Sequence, residues 1–456
     1  MIGHCTVTGV VHRMDMRKPA LCKCLVSSLF PVLLGSPTWA DDSLDSKIAV
    51  SEMPAQPIVQ SDAPIAVPEA PAQPIVQADT PIAIQDPVNE RRTQRILDAL
   101  SRIESNEGAY AGALPEQLLT LGLTLQQQNR HLEAIAAFNR GVHLARINDG
   151  LYSAAQIPMI QGEIISQLAT GQFAEADLRQ KYLFQVQQRN LSLGESRVQA
   201  LMQQAHWQHN AFEIGLDEQR IGRLLSMWDL YRLALLDVME LEGDGSEKLI
   251  PPLYGLLRAQ YLISSYAASG SAGKNSNSSF DNRVMLNRFD AYRGNSYAKG
   301  QALIRSIYDI ERVQSVDQIL PAVKTLVMLG DWMQWHGQRD KASEIYGNAI
   351  AELDGRDDAQ LLIDGWFGQP VPLPDLEGLR VLYPAVAATE GEILLEFGVS
   401  ARGNVTDLVR VDENEDNEVS VRRLMRKLRN IKFRPRFENG EPVSTDKIVK
   451  AYDLLQ

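Results

Sequence analysis

The stretch LVMLGDWMQWHGQRDKASEIYGNA, residues 326–349, decides the fold of most of this chain. Leu326, Leu329, Gly330 and Met333 recur at spacings of three and four, Gly337 interrupts them, and Ala342, Tyr346 and Ala349 resume the same rhythm. Such spacing puts apolar side chains on one face of a helix, so the stretch predicts two amphipathic helices joined by a tight turn. Upstream, Leu118, Leu121, Gly122, Leu125, Ala134, Phe138 and Gly141 repeat the arrangement. A third window keeps Gly171 and Ala176 but carries Gln180 where the others carry an aromatic residue. Strand-like alternation is scarce from 91 to 355, and residues 267–279 (AASGSAGKNSNSS) read as a loop for want of apolar periodicity.

These windows resemble the tetratricopeptide repeat, a helix–turn–helix unit of about 34 residues. The resemblance implies an all-α TPR-like solenoid over 91–355, with about seven helix pairs and a concave surface for a peptide or protein partner. In that pattern Gly122 and Gly330 let paired helices approach, Ala134 and Ala342 occupy the crossing, and Phe138 and Tyr346 fill the space toward the next repeat.

All three cysteines, Cys5, Cys22 and Cys24, fall in the first 24 residues. There Arg17, Lys18 and Lys23 precede a mostly apolar run from Cys24 to Gly35, and Ser36-Pro37-Thr38-Trp39-Ala40 supplies small residues before Asp41. That order reads as a secretory signal over 1–40, with residues 1–13 an upstream extension, and it predicts a periplasmic protein. The apolar run is interrupted by Pro31 and falls short of the ~20 residues a bilayer span needs. Retention of the leader is the alternative, with the chain anchored in the inner membrane and facing the periplasm.

Residues 41–90 read as a disordered linker in which a 17-residue unit repeats, PAQPIVQSDAPIAVPEA at 54–70 and PAQPIVQADTPIAIQDP at 71–87. Its prolines withhold backbone donors and bias their neighbours toward extended conformations, so a polyproline-like spacer is expected.

The net charge of −12, with no dense basic cluster before position 422, argues against a nucleic-acid binder. His206 and His209 lie three apart on a probable helix, but nearby acids do not recur at ligand spacing, so an ordinary polar face is expected rather than a metal site. The chain has no G-x-S-x-G, no G-x-x-x-x-G-K-[ST] and no G-x-G-x-x-G. No catalysis, cofactor or metal is expected.

Past a Gly/Pro-rich connector (356–379, including GWFGQPVPLPDLEG) the texture turns to strands. In EILLEFGV (392–399) Ile393, Leu395, Phe397 and Val399 share one face, and Val405 to Val411 returns after a turn at 401–404. An acidic loop (412–418) leads to a helix near 419–430 with Val421, Leu424, Met425 and Leu428 inward, then FRPRF (433–437), a turn at Asn439-Gly440, and a last strand at about 447–454. The order predicts a small α+β module, β-β-α-β, with the helix on one sheet face.

Tyr383-Pro384, the strand pair, the basic helix, FRPRFENGEPV and the closing IVKAYDL together resemble the C-terminal domain of TonB-type energy transducers, over about 380–456. The resemblance implies a periplasmic domain whose edge strand pairs with a short peptide of an outer-membrane receptor. Lys447, Val449, Ala451 and Asp453 are the edge residues it points to, since an open strand offers unpaired main-chain groups to a guest. Arg422, Arg423, Arg426, Lys427, Arg429, Lys432, Arg434 and Arg436 place eight cations in 15 residues, a patch for anionic phosphates or a solvated helix face. Two functions stay open at this stage: a periplasmic adaptor with protein or peptide partners in the cell envelope, among them a receptor, a cell-wall component or a second copy in a homodimer, or an atypical energy transducer in outer-membrane transport.

Overall fold

The computed structural model describes residues 87–216, 220–266, 280–314, 319–379, 382, 384, 393–412 and 418–453. The signal (1–40), nearly all of the proline-rich segment, the loop at 267–279 and residues 413–417 of the acidic loop lie outside them. Twelve helices fill 87–351 among the described residues: α1 (Pro87–Glu107), α2 (Leu114–Gln127), α3 (His131–Asp149), α4 (Ile157–Ala169), α5 (Phe173–Asn190), α6 (Glu195–Ile214), α7 (Arg220–Glu242), α8 (Ile250–Ser265), α9 (Phe280–Gly294), α10 (Ser296–Gln314), α11 (Leu320–Trp335) and α12 (Arg339–Ala351). That is six pairs where about seven were expected, and α1 starts at Pro87, inside the segment read as linker. None of these helices is long and apolar enough to cross a membrane.

The stack is a TPR-like series of antiparallel neighbours, and a glycine against an aromatic ring sets its spacing. Phe138 of α3 is fully buried between Gly122 of α2 and Gly162 of α4, Tyr231 of α7 lies on Gly255 of α8, Trp332 of α11 on Gly300 of α10, and Tyr346 of α12 on Gly330 of α11. A Cβ at any of these glycines would overlap the ring, so the close helix approach depends on its absence. Helices α2, α4, α8 and α11 each carry proline in the first turn, where no N–H partner is lost. Helices α4 and α8 are entered alike: Ser153 and Ser246 each cap a short 3-10 turn that leads into Ile-Pro-x-x-x-Gly, at 157–162 and 250–255.

The connector is built into the fold rather than bridging two domains. Residues Ala359–Phe367 form α13, Val371–Pro372 form β1, and Phe367, Leu373, Leu376 and Leu379 are buried. Its glycines and prolines suggested a loop, but its apolar residues sit at positions that the stack and the C-terminal module bury from either side.

The last part follows the predicted order. Strands β2 (Ile393–Val399) and β3 (Val405–Arg410) form an antiparallel pair, α14 (Glu418–Asn430) crosses one face, and β7 (Thr445–Tyr452) returns beside β2, in the order β3-β2-β7. Val421, Leu424 and Leu428 of α14 pack on Ile393, Leu395, Phe397 and Val399. Between them, β4 (Phe433–Arg434) pairs with β1, and β5 (Arg436–Glu438) pairs with β6 (Glu441–Val443) through Asn439 and Gly440, both at positive φ as a tight hairpin requires.

If the ring–glycine contact sets the helix spacing, Gly330→Ala should cost about 1–3 kcal/mol through overpacking against Tyr346. Gly347→Ala, in the middle of α12 with nothing near a new Cβ, should be neutral or gain up to about 1 kcal/mol. Urea unfolding of the two variants measures the contrast.

Candidate functional site

The geometry that organises the molecule lies where the module meets α11 and α12. Arg434, next to the proline of FRPRF, is almost completely buried. Its Nη2 donates to Asp375 Oδ2 at 2.7 Å, and its Nε lies 3.5 Å from Asp331 Oδ1, which also accepts from the Tyr346 hydroxyl at 2.7 Å. The Gln334 side-chain amide donates to the carbonyls of Arg402 (2.9 Å) and Phe433 (3.0 Å). Phe437 closes the joint edge-to-face against Tyr346 and Phe367, with ring centroids 5.4 and 5.3 Å away. Burial pushes the Asp331 carboxyl up to about 6, with Arg434 pulling the other way. Burial wins because Arg434 makes its short hydrogen bond to Asp375 and stands off from Asp331.

Beside this joint is a cavity of about 660 Å³, of the size that holds a ligand or a stretch of peptide. Helices α6, α7, α8 and α11 line one side, and the connector from Gly365 to Glu377 lines the other. The Arg258 Nε–H donates to the Glu377 carbonyl at 3.2 Å, and Lys324 lies 5.9 Å from the Trp366 ring. Neither cation has a carboxylate partner among the described residues. His206 stands on the rim, where partial desolvation of its ring, then Arg258 and His209, lower the imidazole below its ordinary value. His209 is buried 3.7 Å from Glu213, and among the described residues no three His, Cys, Asp or Glu side chains are grouped to hold a metal.

The terminal strand is an edge of the three-stranded sheet. Leu394 directs its N–H to Asp412 Oδ2 and its carbonyl to the Val411 N–H, both on the β3 side. Its cross-strand neighbour Ala451, and Val449 opposite Glu396, therefore turn their main-chain groups away from β2. The four residues named from the sequence do not make one continuous edge. Lys447 has φ of 56° at a bulge, the Ala451 side chain is buried, Pro384 bridges to Tyr452, and Asp453 lies beyond the strand. Bulge, lysine and covering segment are the usual devices that blunt an edge, and Val449 is the outward-facing residue between them with an exposed side chain.

Of the basic run, Arg422, Arg423, Arg426, Lys427 and Arg429 cover the exposed face of α14, and Arg422 alone among them is ion-paired, with Glu418, within the described residues. Lys432 is half-buried beside Asn404, and Arg436 pairs with Glu438. Arg434, read as part of the same patch, is the buried joint. The sequence carried no sign of that difference beyond the apolar residues flanking it, since its partner Asp375 is 59 residues away.

No family model and no curated protein matches the chain. Solved structures similar to it include a kinesin light chain with nearly identical TPR-like repeats from Podosopora anserina, 13% identical over 55% of this chain and 95% of that one with a TM-score of 0.35. BtubC from P. vanneervenii is 14% identical over 61% and 94% with a TM-score of 0.34. The TPR-like fold rests here on the helix pairs and their glycine–aromatic contacts.

Replacing Arg434 with methionine leaves two carboxylates without their guanidinium and should cost about 3–5 kcal/mol. The pH dependence of Asp331 has a definite sign. Its folded-state value lies above the unfolded one near 4, so its favourable contribution is present below about pH 4 and is lost as pH rises through about 6. Asp331→Asn should lack that decline, which urea titrations at pH 4, 5, 6 and 7 would measure against the unaltered chain.

Proposed function

We infer that the protein is a non-enzymatic adaptor of the bacterial periplasm that holds partners on two surfaces of one body. The observation that carries this reading is the buried joint. Gln334, Arg434 and Phe437 fix the α+β module against the last helices of the stack, so the groove of the stack and the edge at Val449 keep a set separation. Helical repeats of this kind bind protein segments along their inner surface, and this chain is a scaffold for protein–protein interaction. The TonB-like resemblance of 380–456 supplies the second partner's chemistry, an extended peptide from an outer-membrane or cell-wall protein that pairs with the main chain beside Val449. A module docked this tightly favours holding partners over swinging between them, which supports an adaptor ahead of an energy transducer.

Two measurements test it. Intact mass of the protein from a periplasmic fraction should give a mature start at Asp41, whereas a full-length species in the membrane pellet contradicts the assignment. Val449→Pro removes an outward-facing N–H without touching the β2–β7 ladder, so it should leave the melting temperature within about 2 °C of the unaltered chain. It should also reduce at least ten-fold the envelope protein that copurifies through the module. Undiminished copurification would contradict strand pairing at this edge.

A further inference from the structure

Two cations of the cavity, Arg258 and Lys324, have no carboxylate partner among the described residues. The acids that line it with them are engaged elsewhere or turned to solvent: Arg434 stands between Asp331 and Asp375, and Glu377, an exposed residue, gives Arg258 only its main-chain carbonyl. Arg258 is half-buried, so water alone solvates its charge poorly. Three contacts fix how far apart the two cations stand. The Tyr254 hydroxyl meets Thr325, Tyr261 packs edge-to-face on Trp332 with ring centroids 4.6 Å apart, and the Trp335 indole N–H donates to Ser264 Oγ at 3.2 Å. Helices α8 and α11 therefore run side by side, in the same direction and in step. On that register Arg258 is level with Leu329, five residues beyond Lys324, which puts about 7 Å along the helix axes between their backbone positions.

The walls that accompany them are apolar and partly flat. Tyr254 and Met328 lie on the helix side, and Trp366, whose ring is 5.9 Å from the Lys324 ammonium, lies on the connector side. Arg434 and Asp331 line the end of the cavity at the joint, and the connector walls its flank, so the space suits a compact molecule better than a chain that passes through. We propose that this cavity binds a small organic dianion, an aromatic or apolar body with a carboxylate at each end, one carboxylate held by the Arg258 guanidinium and the other by the Lys324 ammonium. With Nε on the Glu377 carbonyl, the Arg258 Nη groups, beside the Tyr231 hydroxyl, remain for a carboxylate. Lys324 supplies a point charge, and Tyr254 and Trp366 offer ring faces to the body between. A volume of about 660 Å³ lies within the range of small-molecule sites. The site is independent of the strand edge at Val449 and stands whether or not that edge takes a partner.

Terephthalate, its monoamide 4-carbamoylbenzoate and the diamide terephthalamide share one shape and carry two, one and no charges, so titration calorimetry of the three against the full chain tests the proposal. The dianion should bind about ten-fold or more tightly than the monoanion, and the diamide should give no measurable heat. Lys324→Gln and Arg258→Gln should each weaken terephthalate by about ten-fold and remove its advantage over the monoanion. Lys324 is exposed, so its variant carries the test by itself if Arg258→Gln, which also loses the bond to the connector, does not fold. Arg426→Gln, on the outer face of α14, should leave all three titrations unchanged. No binding of terephthalate, equal affinity for the three ligands, or a loss with Arg426→Gln as large as with Lys324→Gln would overturn the proposal.

Discussion

A guanidinium withdrawn from water must keep carboxylates beside it, and Arg434 is where this chain meets that constraint. Its side chain is buried between Asp331 of α11 and Asp375 of the connector, which ties three separate stretches of sequence to one point. With that point fixed, β1 lies on β4, Gln334 reaches the carbonyls of Arg402 and Phe433, and Phe437 joins Tyr346 and Phe367 in one aromatic cluster. Phe437 belongs to the same apolar core as the helices from α6 to α13, so the boundary between helical and α+β parts is a shared interior rather than a hinge. Most of the joint's bonds are polar and buried, which makes them specific in geometry and costly to leave half made.

The local architecture was legible in the residues. Phe138 and Tyr346 occur where a helix-pair reading places an aromatic, and both are fully buried against the glycines that reading named. The strands and helix of the module follow from alternation and period alone, because Ile393 to Val399 and Val421 to Leu428 each decide their face within a single element. What stayed hidden was everything that depends on distant partners. Arg434 looks like one more cation of a basic run, and its bond to Asp375 spans 59 residues, while Gln334 to Phe433 spans 99. The connector misled for a related reason: Pro370, Pro372 and Pro374 speak against helix and central strand, yet they suit a short extended segment pressed between two bodies. One signal was available and unused. The shared Ser-x3-Ile-Pro-x3-Gly at 153–162 and 246–255 marks two equivalent helix starts and would have located the pairs between the better windows.

The proposed function draws on the same arrangement. A stack with a groove on one side and a sheet edge fixed to its end can hold two extended segments in a set relation. The connector forms one wall of that groove, held there by its pairing with β4 and by the bond from Arg434 to Asp375. The sheet edge is blunted by the bulge at Lys447 and by Pro384, which limits nonspecific pairing and leaves a short register around Val449. Five cations on the outer face of α14 give the module a positive face on a chain whose net charge is −12, a further basis for choosing where it docks.

The central claim is that the stack and the module form one cooperative body through Arg434. Native-state hydrogen exchange over increasing urea addresses it directly, because it reads the opening free energy of each element separately. Amides of β2, such as Leu395 and Phe397, and amides of α11, such as Leu329 and Trp332, should converge on one opening free energy and one dependence on urea. If the β2 amides instead open at a distinctly lower free energy while α11 stays protected, the module unfolds on its own and the account of a single joined body is wrong.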